Sequence, residues 1–182
     1  MLRTLLELQR LKNLDRTGWT LRGLPAGTEC VAAHSFGVSV AAMMLADELA
    51  AHGTKVDVER LLRMALLHDW SEARLGDMPR TATDYFGSDN RKRAELSAFG
   101  DIVSGFDAGE TLYRELFDDY ELRASLEARL VKAADVIDLL VQVLALERAG
   151  VRGLDEFWDV AREGNFQLEG AAQERSLKLT TT

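Results

Sequence analysis

Two of the three histidines, and several acids, occupy positions that helical spacing assigns to the protein interior. In Leu61-Leu62-Arg63-Met64-Ala65-Leu66-Leu67-His68-Asp69-Trp70-Ser71-Glu72, the stripe Leu61, Ala65, His68/Asp69 and Glu72 recurs every three or four residues. Titratable groups therefore continue an apolar face. Asp135 is embedded in Val131, Ala134, Val136, Leu139 and Leu140, and His34 in Val31, Ala32, Ala33, Phe36 and Val38. An unpaired buried charge costs on the order of several kcal/mol, so each of these groups needs a partner. His34, His68, Asp69 and Asp135 could together ligate one divalent ion and leave positions open for water and substrate. The mixed nitrogen and oxygen set suits Co, Mn, Zn, Fe or Ni better than calcium. A lone buried His or Asp is more often a hydrogen-bonded core residue than a ligand. It is the grouping with Glu72 and Asp77 that gives the metal reading its weight.

Positioning these groups requires helices. Pro25 and Pro79 are the only prolines, and Leu, Ala, Glu and Arg fill the stretches between turn formers. The apolar spacing predicts a first helix from Leu2 to about Asn13 and a loop over 15–27. A second helix is expected from an N-cap at Thr28 to His52-Gly53, and a third after a cap at Asp57. Residues 76–90 read as a long loop, and a fourth helix starts near Asn90 and breaks at Gly105. A short helix is expected over Glu110–Tyr120, the longest over Leu122–Ala149 with a stop at Gly150, and another over Leu154–Ala161. The tail from Gln173 reads as loose. No repeat or linker divides the chain, so residues 1–182 are expected to form one all-α domain with a globular part of about 1–170.

With 22 basic and 30 acidic residues, the net charge of −8 repels phosphate backbones, and no basic run offsets it. A nucleic-acid polymer is not an expected partner. Asp47, Asp69, Asp135 and Asp138 interrupt the most apolar stretches before they reach membrane-spanning length, which argues against a membrane protein. A single cysteine, Cys30, and an opening without the pattern of a secretory leader point to a reducing cytoplasm.

The order of His34, His68-Asp69 and Asp135 resembles the metal signature of the HD-domain phosphohydrolases, an all-α superfamily. The resemblance extends to the HD-domain 5'-deoxynucleotidases through Arg16-Thr17-Gly18-Trp19, Glu29-Cys30-Val31-Ala32-Ala33-His34-Ser35, His68-Asp69-Trp70-Ser71-Glu72, Gly76-Asp77-Met78 and Lys132-Ala133-Ala134-Asp135. It covers residues 11 to about 150. It implies a helical HD-domain fold with a metal site between three core helices, and a phosphomonoesterase that hydrolyses deoxyribonucleoside 5'-monophosphates with one divalent transition metal. It also implies a homodimer whose small-molecule partner is a nucleoside monophosphate. His34, His68, Asp69 and Asp135 would be the metal ligands, and Glu72 and Asp77 would assist catalysis or bind substrate. Arg16 would hold the phosphate and Trp19 would border the sugar. The chain departs from its relatives at Ala33, where an acidic residue is frequent, and at Cys30, where serine is usual.

Glu72 has two readings: the general acid or base of the hydrolysis, or a carboxylate that orients a ligand imidazole. Asp77 could meet a sugar hydroxyl or cap a turn. Asp138 supports the site or pairs with a neighbouring helix, and Lys132 reaches phosphate or lies at the helix surface. Other HD phosphohydrolases act on triphosphates, modified nucleotides or alarmones, and a non-catalytic nucleotide-binding module is the remaining alternative. No basic cluster for extra phosphates is visible in the sequence.

Overall fold

The computed structural model describes residues 1–163 together with Leu168 and Gln173. The expected loose tail after Gln173 lies outside the described residues. Among those described, every regular element is helical, and a single isolated bridge pairs Asp15 with Cys30. The helices are α1 (Leu2–Leu8, continued by a 3-10 turn over Gln9–Lys12), α2 (Thr17–Thr20), α3 (Val31–Ala51), α4 (Val58–Leu67) and α5 (Glu72–Leu75). They are followed by α6 (Arg80–Phe86), α7 (Ser88–Val103), α8 (Glu110–Leu122), α9 (Leu126–Arg148) and α10 (Asp155–Glu163).

The two longest helices, α3 and α9, lie against each other, and α4 packs on both. Their apolar residues are largely excluded from solvent. Val38, Ala42, Leu45 and Leu49 from α3, Leu61, Met64 and Ala65 from α4, and Val131, Ala134 and Leu140 from α9 form one core. Each fully buried leucine there contributes on the order of 2 kcal/mol. Phe99 of α7 stacks on Phe117 of α8 with ring centroids 4.0 Å apart and closes this core at one end. A polar group projecting from α3, α4 or α9 toward the junction of the three helices is therefore held on a rigid frame.

Local chemistry sets the helix ends. The Asp57 carboxylate accepts from Arg60 N–H, and the Ser125 hydroxyl from Ala128 N–H, capping α4 and α9. The expected cap at Thr28 is not used, because its hydroxyl donates to the Pro25 carbonyl and closes a turn instead. The helix begins three residues later, where Val31 N–H donates to the Leu14 carbonyl. The longest helix starts at Leu126 rather than Leu122, because Arg123 adopts a left-handed conformation (φ 52°) and ends α8. The expected loop over 15–27 contains the single turn α2. The expected loop over 76–90 contains α6, which buries none of its residues, and α7 begins at Ser88. The turn formers bound this short helix rather than prevent it: Pro79 stands at its N-cap and Gly87, at φ 79°, ends it.

Candidate metal centre

Seven of the eight residues singled out from sequence line one cavity of about 450 Å³: Arg16, Trp19, His68, Asp69, Glu72, Asp77 and Asp135. The eighth, His34, lies beneath the cavity floor with 1% exposure. The expected stripe on the third helix is broken, because α4 ends at Leu67 and a turn over 68–71 separates it from α5. That turn carries His68 and Asp69 to the mouth of the helix junction, and Glu72 opens the next helix.

The ligand atoms converge. His34 Nε2 lies 3.2 Å from Asp135 Oδ1 and 3.7 Å from Asp69 Oδ2, and His68 Nε2 lies 3.2 Å from Asp69 Oδ2. Yet His34 Nε2, His68 Nε2 and Asp69 Oδ2 are buried and make no hydrogen bond. They approach one another closely without the alignment that would pair them, which is the arrangement expected of atoms aimed at a shared centre. His34, His68 and Asp135 form a group that could hold a metal, with Asp69 beside it. The other ring nitrogens are engaged. His34 Nδ1 pairs with Asp138 Oδ2 at 2.7 Å and His68 Nδ1 with the Ala65 carbonyl at 2.8 Å, which leaves Nε2 of each ring as the atom turned toward the shared centre. The donor set and its orphaned atoms fit a divalent cation.

Electrostatics divide the carboxylates into two kinds. Burial raises Asp69 and Asp135, but His68, His34 and Arg16 around the first and Lys132 and His34 around the second hold both well below their ordinary values. Glu72 behaves oppositely: burial, with Asp69 and Asp77 nearby, pushes it well above its ordinary value. Its Oε2 is buried without a hydrogen-bond partner. Burial and Arg16 lower His34, but Asp135 and Asp138 outweigh them and raise it to about 9.

The remaining positions are more structural than their types suggest. Trp19 is 1% exposed, stacks at a tilt on Phe157 and donates its indole N–H to Glu29 Oε2 at 2.6 Å. Asp77 Oδ2 accepts from Thr17 N–H at 2.5 Å, and Thr17 Oγ1 donates to the Asp77 carbonyl, tying α2 to the segment before α6. Arg16 sits at the start of α2 with Nη1 3.7 Å from Asp69 Oδ2. Lys132 Nζ contacts Asp135 Oδ2 at 2.6 Å, and Asp138 supports His34 and by that bond also pairs with the neighbouring helix α3. Glu29 and Tyr120 were not signalled by the sequence. Tyr120 meets the His68 ring edge-on at a centroid distance of 5.5 Å, and nothing in its local pattern distinguishes it from a core aromatic. Cys30 is half-buried, and among the described residues no group that could hold a metal includes it.

Residues 8–164 match the family model described as HD domain. The 5'-deoxynucleotidase HDDC2 of Danio rerio is 32% identical over 161 residues, covering 86% of this chain and 75% of its own length. The Homo sapiens 5'-deoxynucleotidase HDDC2 is 31% identical over 151 residues, covering 80% and 69%. Among solved structures, a conserved hypothetical protein from Pyrococcus furiosus superposes with a TM-score of 0.83 at 34% identity, covering 98% of this chain and 95% of that one.

Proposed function

The chain belongs to the HD domain family, and from that premise we propose that it is a metal-dependent 5'-deoxynucleotidase, releasing phosphate from deoxyribonucleoside 5'-monophosphates. The observation that carries this reading is the set of buried, unpartnered ligand atoms on His34, His68 and Asp69 at the floor of a cavity roomy enough for a nucleotide. We assign His34, His68, Asp69 and Asp135 as ligands of one divalent transition metal, drawn from Co, Mn, Zn, Fe and Ni. When bound, such an ion acidifies water toward a pKa of about 7 and withdraws charge from phosphoryl oxygens.

The protein's own groups supply the rest. Arg16 presents a planar donor fork toward the cavity in an otherwise acidic protein and binds the phosphate. Lys132 holds Asp135 and stands with Arg16 in the cavity lining. Glu72 Oε2 transfers the proton to the departing 5'-oxygen, a role that suits a buried carboxyl biased toward its protonated form. Asp77 meets a sugar hydroxyl while anchoring α2, and the edge of Trp19 gives the sugar a rigid wall.

Triphosphates and alarmones fit less well. Of the six cations lining the cavity, Arg22 is bound to Glu156, Arg91 to Glu95 and Lys132 to Asp135, and seven acids line it beside them, which leaves no net positive charge for further phosphates. We further propose that the chain works in the cytoplasm as a homodimer. Its free thiol Cys30 suits a reducing compartment, and none of the described helices is long and apolar enough to cross a membrane. Phe36, Met43 and Met44 on α3 and Val141 on the adjoining α9 are exposed and apolar, which suits burial against a second copy.

The deciding experiment is phosphate release from deoxy- and ribonucleoside 5'-monophosphates by chelator-stripped protein re-supplied with Mn, Co, Zn or Mg, beside Asp69→Ala. Metal-restored turnover that favours the deoxy series and is absent in Asp69→Ala is the expected result. Silence across the monophosphates from protein carrying stoichiometric metal would overturn the assignment of substrate.

A further inference from the structure

We infer that Gly37 and Asp138 are a positioning pair for metal uptake: the space left by the missing side chain at Gly37 seats the Asp138 carboxylate, which aims the His34 imidazole at the centre. The inference rests on the metal reading of the site.

Gly37 lies in the middle of α3, three residues after His34, and Asp138 lies on α9, three residues after Asp135. Residues three apart share a helix face, so two pairs confront each other across the α3–α9 contact. In the first, His34 Nε2 faces Asp135 Oδ1 at 3.2 Å. In the second, the Asp138 carboxylate rests on the Gly37 backbone. A Cβ at Gly37 would fall 1.9 Å from Asp138 Oδ1 and 2.6 Å from its Cγ. No side chain larger than hydrogen fits there unless the carboxylate moves. The same carboxylate uses Oδ2 to hold His34 Nδ1 at 2.7 Å, so moving it releases the imidazole.

Backbone conformation does not account for the glycine. Gly37 is absent from the positive-φ residues, and a glycine inside a helix costs about 0.5–1 kcal/mol relative to alanine. Space for Asp138 does account for it. The hydrogen bond to Asp138 fixes both the ring orientation and the tautomer that leaves the Nε2 lone pair free, and loss of such outer partners commonly weakens metal binding about 10–100-fold. Glu29 closes the group on the third side. Its carboxylate lies within 4.8 Å of the ligand-capable atoms of His34 and Asp138 and is tied to α2 through Trp19.

The test is Mn²⁺ affinity, measured by titration calorimetry on chelator-stripped protein, together with the melting temperature of each metal-free variant. The variants are Asp138→Ala, Asp138→Asn, Gly37→Ala and the double variant Gly37→Ala/Asp138→Ala. Asp138→Ala is expected to lose about 10–100-fold in affinity, and Asp138→Asn less, because its amide oxygen still accepts from Nδ1–H. Gly37→Ala should weaken Mn²⁺ in the natural background and add nothing to Asp138→Ala, since an empty seat cannot be obstructed. Metal-free melting temperatures should stay within a few degrees of the parent. Unchanged affinity in Asp138→Ala overturns the inference, as does an equal Gly37→Ala penalty in both backgrounds. Should Gly37→Ala not fold, the Asp138→Ala and Asp138→Asn order decides alone. Parent protein that takes up no more Mn²⁺ than His68→Ala refutes the metal reading itself, and this inference with it.

Discussion

Glu72 shows how far residue type alone determines a role. A glutamate one turn past His68 reads equally as a proton carrier or as a brace for a ligand, since both need it near the same cluster. Burial beside Asp69 and Asp77 favours the first reading: a carboxyl pushed well above its ordinary value, with Oε2 unpartnered, suits proton transfer. Glu72→Gln should lower kcat by about 10²–10⁴-fold while leaving bound metal, measured by elemental analysis, at the parent level. Loss of metal instead would make Glu72 a brace. The four candidate ligands were legible because histidine and aspartate on apolar faces are expensive unless something collects them. Glu29, Tyr120 and Gly37 were not legible. Their contribution arises from contacts between distant parts of the chain, Glu29 beside His34 and Asp138, Tyr120 against His68 and Gly37 under Asp138, which exist only once it is folded.

At the scale of elements, periodicity located the long helices well and their junctions poorly. Leu61, Ala65 and His68 share a stripe, but the stripe cannot reveal that α4 stops at Leu67 and that Glu72 starts a new helix. Likewise the α8–α9 junction depends on one buried acid. Asp119 accepts from Arg60 of α4 (Nη2–Oδ2 2.5 Å) and from Ser125 N–H at 2.9 Å, joining three helices at the cap of α9. Burial raises its carboxyl, but Arg60 and Ser125 prevail and hold it below its ordinary 3.8. A group whose folded value is depressed stabilises the fold above its unfolded value and loses that contribution as pH falls through the folded one. Asp119→Asn should therefore reduce unfolding free energy at pH 7 by about 1–3 kcal/mol, with the difference from the parent shrinking as pH drops from about 5 toward 2. Urea unfolding across that range measures it, and a difference independent of pH would show that the charge is immaterial.

For the molecule as a whole, an all-α domain was evident from composition and spacing, whereas its assembly depends on which apolar residues the fold leaves outside. The apolar character of the long helix did not reveal which of its residues face inward. Leu140 and Val143 are buried, and Val141 between them is 58% exposed. With Phe36 at 70% and Met44 at 62% on the adjoining helix, a second copy would remove substantial apolar area from water. Val141→Asp should convert a dimer to a monomer in size-exclusion chromatography with light scattering and shift the melting temperature of the monomer little, because no core contact is lost. A parent protein that elutes as a monomer would place the homodimer aside.

The short helix α6 has a consequence of a different kind. It forms part of the cavity rim through Pro79, Arg80 and Thr81, yet it buries no side chain and ends at Gly87. The catalytic floor and the fold share the same three long helices, so change there is penalised twice. The rim is released from that constraint. Residues 80–86 could change without disturbing a buried side chain of that helix, and the range of nucleosides admitted could diverge among descendants while the hydrolytic chemistry beneath stayed as it was.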